Sequence, residues 1–318
     1  MNPSLKINFS DFWEPFKKED NFFYNLISKW YDIEIAEDPD FLFFSCYGKD
    51  YLKFKCIRIF FASENMRPDF FQCDYAISFD YIKRRNHFRF PLYQLYIDGH
   101  GYYEKLVKKV TIEEARVIWR QKSKFCCMLV SNPNSKKRIE FFHALSAIMP
   151  VDSGGRYLNN IGYQVEDKMA FIKDYKFVFA FENSNYPGYT TEKILEPLVV
   201  KSIPIFWGNE YVGNDFNKDS FINLDDDSGF QQCIDRILLL NDNEDMAVKM
   251  IMEERFTNPE NEHVQAMEAV STFLKEIFIN KKSKPVARRY GVMLFLRLRK
   301  TIKSLKNKTQ GSSALKHA

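Results

Sequence analysis

Glycine and proline are scarce in this chain, twelve of each in 318 residues, which excludes collagen-like and low-complexity classes. The six cysteines (Cys46, Cys56, Cys73, Cys126, Cys127, Cys233) form no CxxC pair, the five histidines are scattered and no HExxH occurs, so no dedicated zinc site is expected. Cysteines placed this way read as the reduced thiols of a cytosolic protein. Nowhere does an uninterrupted apolar run reach the roughly 18 residues of a membrane-spanning helix. The opening MNPSLKINFSDFWEPF has no basic stretch followed by a continuous apolar one, so no signal peptide is expected. Aromatics are plentiful: 31 Phe and 17 Tyr, in a composition that is 45% hydrophobic, mark a folded globular protein. A chain this long can bury two cores of ordinary size.

Acid is missing from one region. From Lys281 onward there are twelve Lys or Arg and no Asp or Glu, which leaves 34 basic against 42 acidic side chains, a net of −8, in the remaining 280 residues. The tail places Leu294, Phe295, Leu298, Ile302 and Leu305 on one helical face ringed by cations, the pattern of an interfacial helix. Near anionic lipid such a segment gains about 1 kcal/mol per basic residue. The alternative is a C-terminal helix docked on the body. An acidic body argues against wrapping nucleic acid, so no nucleic-acid partner is expected.

The first hundred residues alternate short runs rich in Ile, Phe and Tyr (5–10, 31–36, 40–48, 55–65, 75–80) with one helical pattern carrying Phe22, Phe23, Leu26, Ile27 and Trp30. A second alternation starts at KFCCMLVSN (124–132) and continues through a helix at 135–148, a short helix in DKMAFIKDY, the strand KFVFAFEN, the helix TEKILEPLVV, the strands IPIFWGN and SFINLDD, and the helix SGFQQCIDRILLL. Strands apolar on both faces, separated by helices, imply parallel sheets covered on both sides. The expected fold class is therefore α/β with two Rossmann-like halves facing a cleft. The boundary falls in the charged, helical stretch 105–123, giving a domain at 1–118, another at 119–280 and the basic amphipathic tail at 281–318. Ligands in such sheets sit beyond the carboxyl ends of the strands. Three polar clusters fall there: Ser63-Glu64-Asn65, Ser131-Asn132, and the segment FAFENSNYPGYTTEKILEPLVVKSIPIFWGN (179–209).

In that last segment a helix starts near Thr190 or Thr191, and its free N–H groups and dipole make an anion site. Lys193 in the first turn runs against the preference for acidic residues there, which a bound anion would explain. Arg138, in the other early helix of this half, could clamp the same phosphate bidentately. Pro197 should bend the helix. Solvated surface is the plain alternative for both cations.

The order FENS…GYTTEKI…IPIFWG resembles the nucleotide-sugar motif of the α-1,3-fucosyltransferases of glycosyltransferase family 10. FFASENMRPDFFQCDYAISFDY…RFPLY is similar to the family's acceptor-side segment, and VSNPNSKKRIEFFHAL to its donor-side helix. The resemblance covers roughly residues 5–260 and is closest to bacterial members, which lack the N-terminal membrane anchor of animal homologues. It implies a two-domain GT-B fold, GDP-fucose as donor, and inverting transfer to a Gal-GlcNAc disaccharide of a Lewis-type glycan on lipopolysaccharide or capsule. It further implies Glu64 as general base, Arg138 and Lys193 on the diphosphate, Glu192 accepting from sugar hydroxyls, and Asn183 and Tyr189 lining the nucleotide pocket, with Ser131 and Asn132 at the same donor site. Ser63 and Thr190 depart from the Gly and Val common in bacterial relatives. No cofactor is required on this basis, a divalent cation would at most stimulate, and the tail implies a cytoplasmic protein attached peripherally to the inner membrane. A metal-gripping DxD in LDDDSG (Asp225, Asp227) is the competing motif, although acids before Ser-Gly and a helix read as a capping loop. Two further readings compete: a transferase of the same fold with a different nucleotide-sugar donor, and a membrane-surface binding module. Acceptor glycan, 1,3 versus 1,4 linkage and oligomeric state stay open.

Overall fold

The near-continuous apolar runs form strands in two sheets, one of six strands and one of five, and every pairing in both is parallel. The computed structural model describes residues 2–224, 229–258, 262–280 and 284–288. The chain divides into two compact units. The first comprises residues up to Ser78, Ile82–Arg89 and those from Ala269 onward; the second comprises Phe79–Tyr81 and Phe90–Glu268.

In the first unit the elements are β1 (Ser4–Ser10), α1 (Phe22–Ile27), β2 (Asp32–Ile35), β3 (Phe41–Phe44), β4 (Ile57–Phe61), β5 (Tyr75–Ser78) and β6 (His87–Arg89). The sheet order is β2-β1-β3-β4-β5-β6. β3 and β4 are buried at every position, as central parallel strands covered on both faces must be, whereas edge strand β2 is not. α1 begins at Asn21, whose side chain accepts from the Tyr24 N–H, and buries Phe23, Leu26 and Ile27.

The second unit runs through α2 (Leu92–His100), α3 (Tyr103–Val107), α4 (Ile112–Gln121), β7 (Lys124–Met128), α5 (Lys136–Ser146), β8 (Val151–Ser153), α6 (Lys168–Ile172), β9 (Tyr175–Phe181), α7 (Glu192–Val199), β10 (Ile203–Trp207), β11 (Ile222–Asn223), α8 (Gly229–Asp242), α9 (Glu244–Met252) and the start of α10 (Glu262–Ile279). Its order is β8-β7-β9-β10-β11. α4, the helix expected around 105–123, opens on a reciprocal capping box between Thr111 and Glu114. Its C-terminal Lys122 is buried and donates to the carbonyls of Lys173 and Val200 and to the Ser202 hydroxyl. Pro197 lies near the end of α7, which stops two residues later.

The two sheets share one topology. In each, the strand second in sequence lies outside the first, and the order reverses between the first and third strands: β1 and β3 in one, β7 and β9 in the other. That reversal splays the flanking connections apart and opens a crevice at the carboxyl ends of the two strands. β6 and β8, three residues each, and the helices at 92–100 and 244–279 are not evident from the sequence pattern. The stretch read as the strand SFINLDD pairs over only Ile222–Asn223. Asp225 and Asp227, and the tail apart from residues 284–288, lie outside the described residues.

Candidate functional site

The crevice of the second unit lies between the segments that leave β7 and β9. After β7 the chain passes Ser131 and Asn132, both exposed, and the Asn132 side chain accepts from the Asn134 N–H at 2.9 Å. This turn delivers Ser135 to the N-cap of α5. Ser135 makes no capping hydrogen bond, and its buried hydroxyl has no partner among the described residues. The first turn of α5 holds no acidic residue. Its leading N–H groups, which have no partner within the helix, are therefore left with the positive end of the dipole and an unspent hydroxyl.

Arg138, in that first turn, is only 4% exposed. Its Nη2 donates to the Phe181 carbonyl at 2.8 Å and to Asn183 Oδ1 at 3.0 Å, which ties α5 to the end of β9. Burial lowers the guanidinium's pKa, opposed by the negative field of Glu182. Asn183, exposed, is thus the open end of an Arg138 contact.

Between the two groups that Arg138 holds stands Glu182, with no exposed surface. Its carboxylate accepts from the Thr191 N–H at 2.7 Å, from the Thr191 hydroxyl at 2.8 and 2.9 Å, and from Lys193 Nζ at 3.1 Å. Thr191 is the N-cap of α7, yet its hydroxyl donates outward to Glu182 and does not cap its own helix. Lys193 Nζ also lies 3.0 Å from the Thr191 hydroxyl and 3.4 Å from Glu192 Oε1. Burial alone would weaken the Lys193 ammonium; the charges of Glu182 and Glu192 outweigh it and raise its pKa. Burial pushes the Glu182 carboxyl up, against the pull of Lys193. For Glu192 burial acts upward too, but Lys193 and Lys168 hold it below its usual value.

Lys193, whose first-turn placement a bound anion would explain, also has counter-charges within the fold, Glu182 and Glu192. The two cations nonetheless converge, Arg138 on the atoms either side of Glu182 and Lys193 on Glu182 itself. Gly208 makes room for the carboxylate, since a Cβ there would lie 2.7 Å from Glu182 Cγ. Tyr189 is buried at 2% exposure with its ring 5.0 Å from Phe79. The uncapped N-terminus of α5, a buried guanidinium and an unpartnered hydroxyl around one crevice can hold an anion with several oxygens, whereas the N-terminus of α7 already carries Glu182 and Glu192.

In the first unit Glu64, half-buried, follows β4, the neighbour of β3. The Tyr47 hydroxyl, from the segment after β3, donates to Glu64 Oε1 at 3.1 Å. Burial and the Glu64 charge push the Tyr47 phenol up to about 12, so it remains a donor at neutral pH. Ser45 bonds the Phe61 carbonyl at 2.8 Å and the Ser63 hydroxyl at 2.5 Å, fixing the backbone that presents Glu64. Asp11, after β1, accepts from the N–H groups of Asp50 and Tyr51 and anchors the segment that carries Tyr47.

Read in sequence, Glu182 stands in the motif without a role, and Ser135 and Tyr47 are passed over. Glu182 left a signal, a carboxylate directly after an apolar strand; Ser135 and Tyr47 left none. Among the described residues no group of three His, Cys, Asp or Glu side chains could hold a metal ion, and no helix is long and apolar enough to cross a membrane.

Two family models match the chain: the Alpha-(1,3)-fucosyltransferase FucT N-terminal domain over residues 7–96, and Glycosyltransferase family 10 (fucosyltransferase) C-term over residues 119–273. The Alpha-(1,3)-fucosyltransferase FucT of Helicobacter pylori is 32% identical over 290 residues, covering 79% of this chain and 60% of that protein. The chain thus spans less than two thirds of that relative. The mouse 4-galactosyl-N-acetylglucosaminide 3-alpha-L-fucosyltransferase 9 is 33% identical over 110 residues, a third of this chain and 30% of that protein. A crystal structure of an alpha1,3-fucosyltransferase with GDP-fucose aligns with a TM-score of 0.72 at 26% identity, over 91% of this chain and 92% of that one.

Proposed function

Because the chain belongs to glycosyltransferase family 10, we propose that it transfers L-fucose from GDP-fucose, with inversion, to the 3-hydroxyl of N-acetylglucosamine in a Gal-GlcNAc acceptor. The observation that carries this is the crevice between β7 and β9, where Arg138 and Lys193 converge on the Glu182 segment beside the uncapped, acid-free N-terminus of α5. The likeness to an alpha1,3-fucosyltransferase crystallised with GDP-fucose supports the choice of donor.

Inverting transfer is a single displacement through an oxocarbenium-like state. As the acceptor oxygen bonds to the anomeric carbon, the bond to the diphosphate breaks and the hydroxyl proton must go to a base. Glu64 takes that role, oriented by Tyr47. GDP departs with growing negative charge, and cations fixed before the reaction stabilise that charge more than they stabilise bound donor. Arg138, whose Nη1 and Nε donate to nothing among the described residues, supplies the fork, Lys193 the point charge, and Glu192 an acceptor for fucose hydroxyls. In this scheme the N-terminal part binds acceptor, the C-terminal part binds donor, and the basic tail adds attachment to an anionic membrane surface, which co-sedimentation with anionic vesicles tests.

The deciding experiment is product analysis with GDP-fucose and a panel of type 1 and type 2 disaccharides. An α-1,3-fucosylated type 2 product is expected; transfer only from another nucleotide sugar would overturn the assignment. Glu64→Gln should lower turnover by about 10²–10⁴-fold while GDP-fucose still binds.

A further inference from the structure

Three tyrosines keep large exposed rings around one turn of the second unit: Tyr81 at 44%, Tyr186 at 37% and Tyr211 at 47%. Single exposed aromatics are ordinary. These three are linked through residues 79–81 and the turn at 186–188. Tyr81 and Tyr211 meet edge to face with centroids 5.8 Å apart and 87° between planes, and the Asn214 amide donates to the Tyr81 hydroxyl at 3.3 Å. Tyr186 stands edge-on, 6.2 Å away, against the ring of buried Phe79.

Gly188 joins the two halves of the patch. Its φ is +87°, and a Cβ there would lie 2.2 Å from the Phe79 carbonyl oxygen and 3.3 Å from the Tyr81 ring, so the turn rests directly on residues 79–81. Buried Asn209 then locks the arrangement. Its Oδ1 accepts from the N–H groups of Gly188 at 2.6 Å and Tyr211 at 3.0 Å, while its Nδ2 donates to the Thr190 hydroxyl at 3.0 Å. Thr190 precedes the N-cap of α7, so this patch is coupled to the element that presents Lys193 and Glu192.

Rigid aromatic faces edged by phenol and amide groups suit a partner with one apolar face and a rim of hydroxyls, which is the chemistry of a pyranose ring. We infer that Tyr81, Tyr186 and Tyr211 form a stacking platform for a hexose of the acceptor saccharide, a contact that the second unit adds to the acceptor binding of the N-terminal part. This rests on the transferase assignment above for the acceptor's role, but the binding itself can be read without turnover.

The test uses the full chain with Tyr81→Ala, Tyr186→Ala and Tyr211→Ala, and the corresponding Phe variants, each checked by thermal unfolding. Loss of one stacking face should raise acceptor KM about 2- to 10-fold, leave calorimetric affinity for GDP unchanged, and be recovered in Tyr186→Phe and Tyr211→Phe. Calorimetric titration with the Gal-GlcNAc disaccharide should show the same weakening. Alanine variants with unchanged acceptor KM overturn the platform. Weakened GDP affinity would instead make the patch a nucleobase support and overturn it equally. A wild-type chain that binds the disaccharide at these tyrosines yet transfers no fucose would keep the platform and sink the transferase assignment; one that binds no saccharide sinks the platform.

Discussion

Lys193 Nζ lies 3.1 Å from Oε2 of Glu182, a carboxylate with no exposed surface. A buried ion pair contributes little net stability over an apolar pair, but removing one partner strips the other of its nearer counter-charge, here leaving Lys193 with Glu192 at 3.4 Å, so the loss lies at or below the roughly 3–5 kcal/mol of a fully unpaired buried charge. Glu182→Ala should therefore lower the unfolding free energy by up to that amount, read by urea titration. Glu182→Gln, which keeps the shape and an acceptor for Thr191, should lose less. A loss below about 1 kcal/mol in the alanine variant would show that solvent reaches Lys193 freely.

Arg138 holds two atoms at once, and a lysine cannot reproduce that fork. Arg138→Lys is expected to weaken GDP binding about 10- to 100-fold, the value of a charge-assisted hydrogen bond, with Arg138→Ala weaker still. Calorimetry with GDP checks this, and near-wild-type affinity in the lysine variant would remove Arg138 from the anion site.

Gly208 and Gly99 make a matched pair. A Cβ on Gly208 would meet Glu182 Cγ at 2.7 Å and Cβ at 2.9 Å, whereas one on Gly99 meets nothing within 4 Å. Gly208→Ala should destabilise by about 1–3 kcal/mol through overpacking. Gly99→Ala, inside α2, should stabilise by about 0.5–1 kcal/mol. Thermal unfolding of the two variants should move in opposite directions; equal shifts would refute the close approach at Glu182.

Burial pushes the Lys122 ammonium down to about 8 from its usual 10.5, and Lys201 likewise down to about 8. Between those values the unfolded chain holds protons that the folded chain has released. Stability therefore rises with pH across that window and is insensitive to these groups below it. Lys122→Met should flatten the rise, leaving the part due to Lys201. Denaturant unfolding on either side of the window measures the slope, and an unchanged slope in the variant would show that Lys122 keeps its proton.

Much of the architecture is legible in the residue pattern because central parallel strands are apolar on both faces, as Phe41–Phe44 and Ile57–Phe61 are. The same alternation carries Glu64, Arg138 and Asn183 to strand ends or first helical turns. Three-residue strands such as His87–Arg89 cannot display a period, and nothing in their composition separates them from loops. Pairings are equally hidden. Lys193 invites a ligand's charge when read in sequence because its partner Glu182, eleven positions away, comes within reach only when α7 folds back along β9. Tyr47 and Ser135 are ordinary loop residues until the neighbouring strand or helix places them.

The first unit's helical cover is completed from the far end of the chain. Phe278 packs against Phe41 and Tyr31, Phe273 against Tyr75 and Phe88, and the Val286 N–H bonds Asp74. In sequence, the second unit is thus an insertion within the first. On a ribosome, where domains generally fold as they emerge, the first unit's sheet waits with Phe41 and Tyr75 lacking Phe278 and Phe273 until about two hundred further residues have been added, so the unit begun before the other is completed after it.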